Sequence, residues 1–106
     1  MTEITVVARA MAKKGKEKEL EKALREVVGP THQEKGCLRY VIHQGIENPS
    51  NFLVVERWAS QADHLSHLQS SHVQELFQKV PPLVEGAPEI LSYQLLTEGD
   101  KNKGFI

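Results

Sequence analysis

The chain has 106 residues, which is enough for one domain and too few for two. Its 13 Lys and Arg residues nearly balance its 14 Asp and Glu residues, so we expect no strong field that would attract nucleic acid or an acidic membrane surface. No apolar run reaches the roughly eighteen residues of a membrane span, and Met1–Ile4 lacks the features of a signal peptide, so we expect a cytoplasmic protein. Cys37 is the only cysteine, which excludes an internal disulfide and a zinc site built on paired cysteines.

Alternation and helical spacing predict the elements of the first half of the chain. Residues 3–12 alternate and are rich in β-branched types, which is typical of a strand. Apolar residues recur at helical spacing over 20–28, and Gly29-Pro30 weakens or ends this helix. Cys37–Gln44 alternates again and predicts a second strand.

The second half predicts a third strand, two short helices and a last strand. Phe52–Trp58 is apolar on both faces until Glu56, so we expect a strand antiparallel to the second one and covered on both faces. Ser60 and Asp63 resemble a capping box, which begins a helix. The remaining predictions are an end of that helix near Gln69, a second helix between Ser70-Ser71 and Pro81-Pro82, and a strand over Glu89–Thr97.

The predicted order is β-α-β-β-α-β, which is the α+β, ferredoxin-like arrangement of a four-stranded antiparallel sheet with helices on one face. We assign residues 1–98 to this domain and residues 99–106 to a flexible C-terminal tail. The strands are too apolar for the second face of the sheet to lie in water. Packing of two sheets face to face would bury both, so we expect a homodimer.

Three segments carry a resemblance to a known family. They are Gly36-Cys-Leu-Arg-Tyr40, Glu56-Arg-Trp58 and His67-Leu-Gln-Ser-Ser-His72. In this order and spacing they resemble the antibiotic-biosynthesis monooxygenase (ABM) domain over residues 3–97. The stretch Ala62–His72 is similar to the small bacterial quinol monooxygenase type.

The resemblance implies a dimeric α+β barrel with a pocket between the sheet and helices of each protomer. Several family members oxidise phenols or quinols with O2 and use no metal or flavin. Such a site must bind the ring, remove a phenolic proton and stabilise a charged peroxide intermediate, so it needs apolar walls, one base and a donor or cation. The expected partners are therefore an aromatic small molecule and O2, with no cofactor.

Histidine suits the role of the base, because its ordinary pKa lies near neutral pH. The resemblance places His67 in the pocket, whereas the helical phase of Leu65 and Leu68 places it off the apolar side, as a surface group. His72 either lines the pocket or caps the second helix. We expect His67 or His72 to be the base and Glu56 to orient it or to bind a substrate hydroxyl.

Several of these residues also have a plain structural interpretation. An acid on an apolar strand, as Glu56 is, needs a partner when buried, and Arg9, Arg39 or a histidine could supply an ion pair. Trp58 is typical of core packing, although its N–H could reach a ligand. The residues expected to bind substrate are Trp58, His43, Arg39, Tyr40 and Phe77.

The sequence argues against two kinds of cofactor site and leaves two other functions open. His32 and His64 are expected at the surface, and the break at Ser70-Ser71 separates His67 from His72, so no metal site is predicted. Family members that open haem carry Asn, Trp and His where this chain has Ala8, His67 and Phe77. The alternatives are an isomerase or other proton-transfer enzyme on a small polar metabolite, and a dimeric ligand-binding or stress module without activity. Convergence of the candidate acid and histidines on an open cavity would argue against the second alternative.

Overall fold

A computed structural model of the protein, which describes residues 2–106, shows a four-stranded antiparallel sheet with helices on one face. The strands are β1 (Ile4–Met11), β2 (Cys37–Gln44), β3 (Asn51–Trp58) and β4 (Glu89–Tyr93). The helices are α1 (Glu17–Glu26), α2 (Val28–His32), α3 (Gln61–Gln69) and α4 (Ser71–Lys79), followed by one 3-10 turn at Pro81–Leu83. The sheet order is β2-β3-β1-β4, so the predicted ferredoxin-like fold is confirmed.

Strand β4 is shorter than the sequence predicted. It ends at Tyr93 rather than Thr97, and Tyr93 pairs with Thr5 on β1. Because β1 begins at Ile4 and β4 lies at the edge of the sheet, β1 offers no partner to the chain beyond Gln94. Backbone pairing, rather than side-chain pattern, ends this strand.

The two faces of the sheet differ in how they are covered. On β3 every second residue is buried, and these residues face the helices: Phe52, Val54, Glu56 and Trp58. The residues between them are only half-buried, so a single chain covers one face of the sheet, and the expected cover of the other face would need a second copy. On the uncovered face, which we call the outer face, one ladder aligns an apolar residue from each strand: Val41, Val55, Val7 and Leu91.

Caps and a close backbone approach fix the helices over the inner face. Ser60 Oγ accepts a hydrogen bond from Asp63 N at 3.1 Å and so begins α3, as predicted. Ser70 then caps α4, which confirms the predicted break between the two helices. Gly36 passes directly against Asp63, where a Cβ on Gly36 would overlap the Asp63 side chain. This approach holds the loop before β2 against the start of α3.

The C-terminal residues fold back toward the outer face. Asp100 Oδ1 accepts hydrogen bonds from the backbone N–H groups of Asn102 and Lys103. The Phe105 ring then lies 5.1 Å from the Arg57 guanidinium. No helix within residues 2–106 is long and apolar enough to cross a membrane.

Candidate active site

A cavity lies between the inner face of the sheet and helices α1, α3 and α4, and its walls are mainly apolar. Four polar side chains line it from the inside: Tyr40 and Glu56 from the sheet, and His64 and His67 from α3. Arg9 is the only Lys or Arg that contributes to the lining, and it pairs with Leu53, so its side chain belongs to the outer face. The cavity is thus an apolar chamber with one acid, one phenol and two imidazoles.

The mouth of the cavity lies between α4 and the edge strand β4. Phe77 and Ile90 both line the cavity and are 40% and 39% exposed. The cavity measures about 70 Å³, which is smaller than the roughly 150 Å³ of an apolar cavity that accepts benzene. A single-ring ligand can therefore enter only if a wall of the cavity moves, and Phe77 and Ile90 are the exposed apolar side chains at the mouth.

Glu56 is buried and is held by the indole of Trp58. Trp58 Nε1 donates a hydrogen bond to Glu56 Oε1 at 2.9 Å, and both residues are at most 3% exposed. His64 Nε2 lies 4.0 Å from the same oxygen and has no hydrogen-bond partner among residues 2–106. Of the partners expected for Glu56, the histidine is the one that the structure brings near, and Trp58 supplies the hydrogen bond.

Two histidines converge on a second carboxylate at the loop before β2. His67 Nδ1 lies 2.7 Å and His72 Nε2 lies 2.8 Å from the same oxygen, Oε2 of Glu34. His72 Nε2 is also 3.2 Å from Ser70 Oγ, the cap of α4. We call Glu34, His67 and His72 the Glu-His-His cluster. Its three ligand-type atoms lie within 4.8 Å of one another, so the cluster could also hold a metal ion.

Aromatic packing holds the ring of His67 in place beside Glu34. The ring centroids of His67 and Trp58 are 4.6 Å apart, and those of His67 and Tyr40 are 5.4 Å apart. The His64 ring stacks near His67 at 6.0 Å. His67 is only 3% exposed, so its ring has few orientations open to it.

Burial changes the proton affinity of these groups in opposite directions. Burial raises the pKa of Glu56 to about 7, although the hydrogen bond from Trp58 acts to lower it. Burial also lowers the pKa of His67, against the raising effect of its hydrogen bond with Glu34. The pKa of His64 is lowered by burial and by the neighbouring His67. Near neutral pH the site therefore holds neutral imidazoles beside an acid that can exchange its proton.

The structure brings some of the expected site residues together. Glu56, His67, Tyr40 and Phe77 line the cavity, whereas His72 lies behind it, against Glu34 and the ring of His67. Trp58 does not line the cavity. Its N–H donates to Glu56, and its ring packs against His67.

Arg39 and His43 lie away from the cavity, contrary to the expectation that they bind substrate. Both are exposed, and their strand partners are Arg57 and Leu53, which belong to the outer face. The inward residues between them are Tyr40 and Ile42, and of these Tyr40 lines the cavity. Alternation on a strand with two apolar faces could not show which face carries the pocket.

The surface prediction for His64 is wrong, and so is the helical phase that placed His67 at the surface, whereas the family resemblance placed His67 in the pocket. His64 and His67 are both buried, whereas Leu65 is 54% exposed. The inward face of α3 is formed by His64, His67 and Leu68 at i, i+3 and i+4. Hydrogen bonding to Glu34 and packing against Trp58 offset the cost of burying His67, and a hydrophobicity pattern registers neither effect.

Glu34 was missed by the sequence reasoning. It lies in the polar loop before β2, where an acid is normally solvated. Its role depends on His67 and His72, which are 33 and 38 residues further along the chain. The only local signal is that Glu34 precedes Gly36, the residue that lets this loop approach α3. Long-range contacts of this kind leave no periodic trace in the sequence.

The fold and the cavity together define an α+β, ferredoxin-like domain with a mainly apolar pocket between sheet and helices. The family model that matches residues 3–79 is described as "Antibiotic biosynthesis monooxygenase". The match covers most of the chain, so this protein belongs to the antibiotic biosynthesis monooxygenase (ABM) family, as its sequence motifs indicated.

Several solved structures share this fold. Protein PA3566 of Pseudomonas aeruginosa is 28% identical with a TM-score of 0.86, over 92% of this chain and 97% of its own. Protein SO0527 of Shewanella oneidensis is 30% identical with a TM-score of 0.82, over 87% of this chain and 89% of its own. A structure named antibiotic biosynthesis monooxygenase is 22% identical with a TM-score of 0.83, over 88% and 98% of the two chains, and shows the shared fold. No curated protein sequence matches the chain.

Proposed function

We propose that this protein is a monooxygenase that oxidises a small quinol-like or polyphenolic ring with O2 and without a cofactor. The observation that carries the proposal is the cavity itself: apolar walls enclose Glu56 and His67, and Glu34 holds the His67 ring from the far side. Apolar walls suit an aromatic ring, and the two polar groups suit its hydroxyls.

Proton removal would fall to His67. When Nδ1–H of His67 donates to the Glu34 carboxylate, the neutral ring keeps Nε2 as a proton acceptor. A phenolic O–H that donates to Nε2 becomes a phenolate as its proton leaves, and a phenolate gives up an electron to O2 far more readily than a phenol. His72 shares the same carboxylate and would support this proton transfer from outside the cavity.

Glu56 would bind a second hydroxyl of the ring. In its protonated form the carboxyl can donate a hydrogen bond, and in its ionised form it can accept one from the substrate. The balanced reaction takes one quinol and one O2 to a hydroxyquinone and water. One oxygen atom enters a free ring carbon, the other leaves as water, and the quinol supplies all four electrons.

The composition of the cavity favours a quinol over a phosphorylated or highly polar metabolite. A phosphate site needs several cations or backbone N–H groups that converge on the ligand. Among the lining residues Arg9 is the only Lys or Arg, and its strand position belongs to the outer face. The isomerase alternative therefore has less support than oxidation of an apolar ring.

A homodimer is the assembly that we propose for this enzyme. The row of Val41, Val55, Val7 and Leu91 crosses all four strands on the outer face, and Val41 and Leu91 are 45% and 47% exposed. A continuous apolar row on a sheet face is typical of a surface that another layer covers. A second copy of the chain would supply that layer with the same row.

Oxygen consumption tests the proposed reaction. Chelator-treated wild-type protein should consume O2 with a hydroquinone above the rate of autoxidation, and the His67→Ala/His72→Ala double variant should lose at least about 100-fold, which is the usual contribution of a positioned base. His32→Ala is the matched control, because His32 is an exposed histidine of α2 outside the cavity lining and should keep wild-type activity. Equal rates for wild type and the double variant would exclude these histidines from the reaction.

A further inference from the structure

We propose that the Glu-His-His cluster binds one divalent transition-metal ion per chain, of the Zn²⁺ type. The inference does not rest on the proposed oxidation, because it concerns only the ligand set formed by Glu34, His67 and His72. The sequence argued against a metal, since the break between α3 and α4 separates the two histidines. The structure shows that this same break turns both rings toward one carboxylate oxygen.

The three donors come from separate parts of the chain and are already close together. Glu34 lies in the loop before β2, His67 near the end of α3 and His72 at the start of α4. Their ligand-type atoms lie within 4.8 Å of one another. Two ligands of a tetrahedral zinc ion, each about 2.1 Å from the metal, lie roughly 3.4 Å apart. Shifts of about 1 Å or less would therefore bring the three atoms to metal-binding distance.

The surroundings hold the ligands in place. His67 is 3% exposed and packs against Trp58 and Tyr40, so its ring cannot turn freely to another partner. Ser70 Oγ lies 3.2 Å from His72 Nε2 and donates to the backbone carbonyl of His67 at 2.6 Å. Supporting contacts of this kind orient the ligands of protein metal sites.

The donor set selects the kind of ion. Two imidazole nitrogens and one carboxylate suit Zn²⁺ and its transition-metal neighbours, whereas Mg²⁺ and Ca²⁺ prefer all-oxygen sites. Each neutral imidazole can move its proton to the other ring nitrogen, so binding needs no net loss of protons from the rings. Three protein ligands leave a further position for water or an anion.

A bound ion would change what the neighbouring cavity can do. It would occupy His67 Nδ1 and force the ring proton onto Nε2, which is the nitrogen that accepts the phenolic proton in the proposed reaction. Zn²⁺ would therefore inhibit a metal-free oxidation.

Calorimetric titration of chelator-treated protein with ZnCl2 tests the site. We expect one Zn²⁺ per chain and no binding of Mg²⁺. The affinity of His72→Ala for Zn²⁺ should be more than about 100-fold lower, because loss of a residue that only supports a metal ligand costs about 10- to 100-fold. Glu34→Gln should weaken binding at least about tenfold with little effect on folding, because the amide keeps the shape of the carboxyl. His43→Ala, an exposed histidine on the outer face, should bind like wild type.

The outcomes separate this inference from the proposed oxidation. Weak or non-stoichiometric binding by wild type, or equal binding by wild type, His72→Ala and Glu34→Gln, overturns the metal site whatever the activity. If wild type binds one Zn²⁺ per chain, both variants lose this binding and the metal-free protein consumes no O2, the metal site is supported and the proposed oxidation is rejected. Far-UV circular dichroism of each variant shows that lost binding does not reflect lost folding.

Discussion

Glu56 and His64 face each other across the inner wall of the cavity, with 4.0 Å between Glu56 Oε1 and His64 Nε2 and no hydrogen bond between them. Both are buried, and burial acts on both in the direction of the neutral form. A charged pair would be drawn together at this distance in so dry an environment. Burial raises the pKa of Glu56 and lowers that of His64, so the stability of the protein depends on pH.

Wild-type protein should lose stability as pH rises because Glu56 ionises, and Glu56→Gln should not show this loss. The ordinary pKa of this carboxyl is 4.5 and its folded value is about 7, so between these pH values the folded protein binds more protons than the unfolded chain. Its stabilising contribution is complete below pH 4.5 and is lost as pH rises through 7. The shift corresponds to about 3 kcal/mol, at about 1.4 kcal/mol per pKa unit.

Urea unfolding of wild type and Glu56→Gln between pH 4.5 and 8 measures this effect. The stability of Glu56→Gln relative to wild type should rise with pH across this range. His64 and His67, whose pKa values are lowered, lose stability as pH falls below 6.5, but they do so in both proteins and cancel in the difference. Glu47→Gln, at an exposed turn, is the control and should follow wild type. A constant difference between Glu56→Gln and wild type would show that this carboxyl does not titrate in the range.

Replacement of Glu34 by Gln should slow the proposed oxidation and leave substrate binding nearly unchanged. Glu34 does not line the cavity, and it acts on His67 by holding the proton on Nδ1. An amide can satisfy that N–H but does not stabilise the imidazolium that forms when Nε2 takes the phenolic proton. We expect kcat to fall about tenfold or more, as part of the roughly 100-fold or larger effect of a positioned base, while KM stays within about twofold.

Steady-state kinetics with a hydroquinone separates this effect from general damage to the fold. Glu26→Gln is the matched control, because Glu26 is exposed and pairs only with Lys79. An increase of KM without a change of kcat would assign Glu34 to substrate binding and contradict its positioning role.

A charge in the apolar row of the outer face should separate the proposed dimer. Val41 is 45% exposed in the single chain, so Val41→Glu costs the monomer little and places two carboxylates in the dimer interface. Ile46→Glu is the control, because Ile46 is 97% exposed in a turn outside the row. Light scattering after size exclusion should give twice the chain mass for wild type and Ile46→Glu, and the chain mass for Val41→Glu. A monomeric wild type would contradict the dimer.

The sequence predicts those elements whose apolar residues recur at a regular spacing. The alternation of Cys37–Gln44 and the helical spacing of Leu20, Ala23 and Leu24 predict elements that the structure contains, because each pattern reflects one buried face. Ser60 and Ser70 are visible as helix starts because a cap is a local interaction. Together with the family motifs these patterns lead to the correct fold.

The arrangement of the site is less accessible from the sequence, because it depends on contacts between distant residues. The inward face of α3 is formed by imidazoles, which count as polar in a pattern, so Leu65 was assigned inward and His64 outward, and both are reversed. Glu34 acquires its role only when the chain brings it to His67 and His72. The pocket face of β2 was ambiguous for a related reason, since both faces of this sheet carry apolar residues.

Gly36 supplies a test of how the loop that carries Glu34 is positioned. Its backbone oxygen accepts a hydrogen bond from Ala59 N at 2.9 Å, and a Cβ at this position would overlap Cβ and Cγ of Asp63, at the start of α3. Since these atoms cannot rotate away as the end of a long side chain could, Gly36→Ala must push the loop and α3 apart. We expect a loss of about 1–3 kcal/mol in the free energy of unfolding, as for other overpacked sites.

The same displacement should also move Glu34 relative to His67, so Gly36→Ala should lower the rate of O2 consumption in the fraction that remains folded. Lys35→Ala, an exposed neighbour in the same loop, should change neither stability nor rate. Urea unfolding and the O2 electrode give the two values on the same preparations. A Gly36→Ala protein that matches wild type in stability would show that α3 can shift freely, and the close approach would then not be what holds Glu34 against its two histidines.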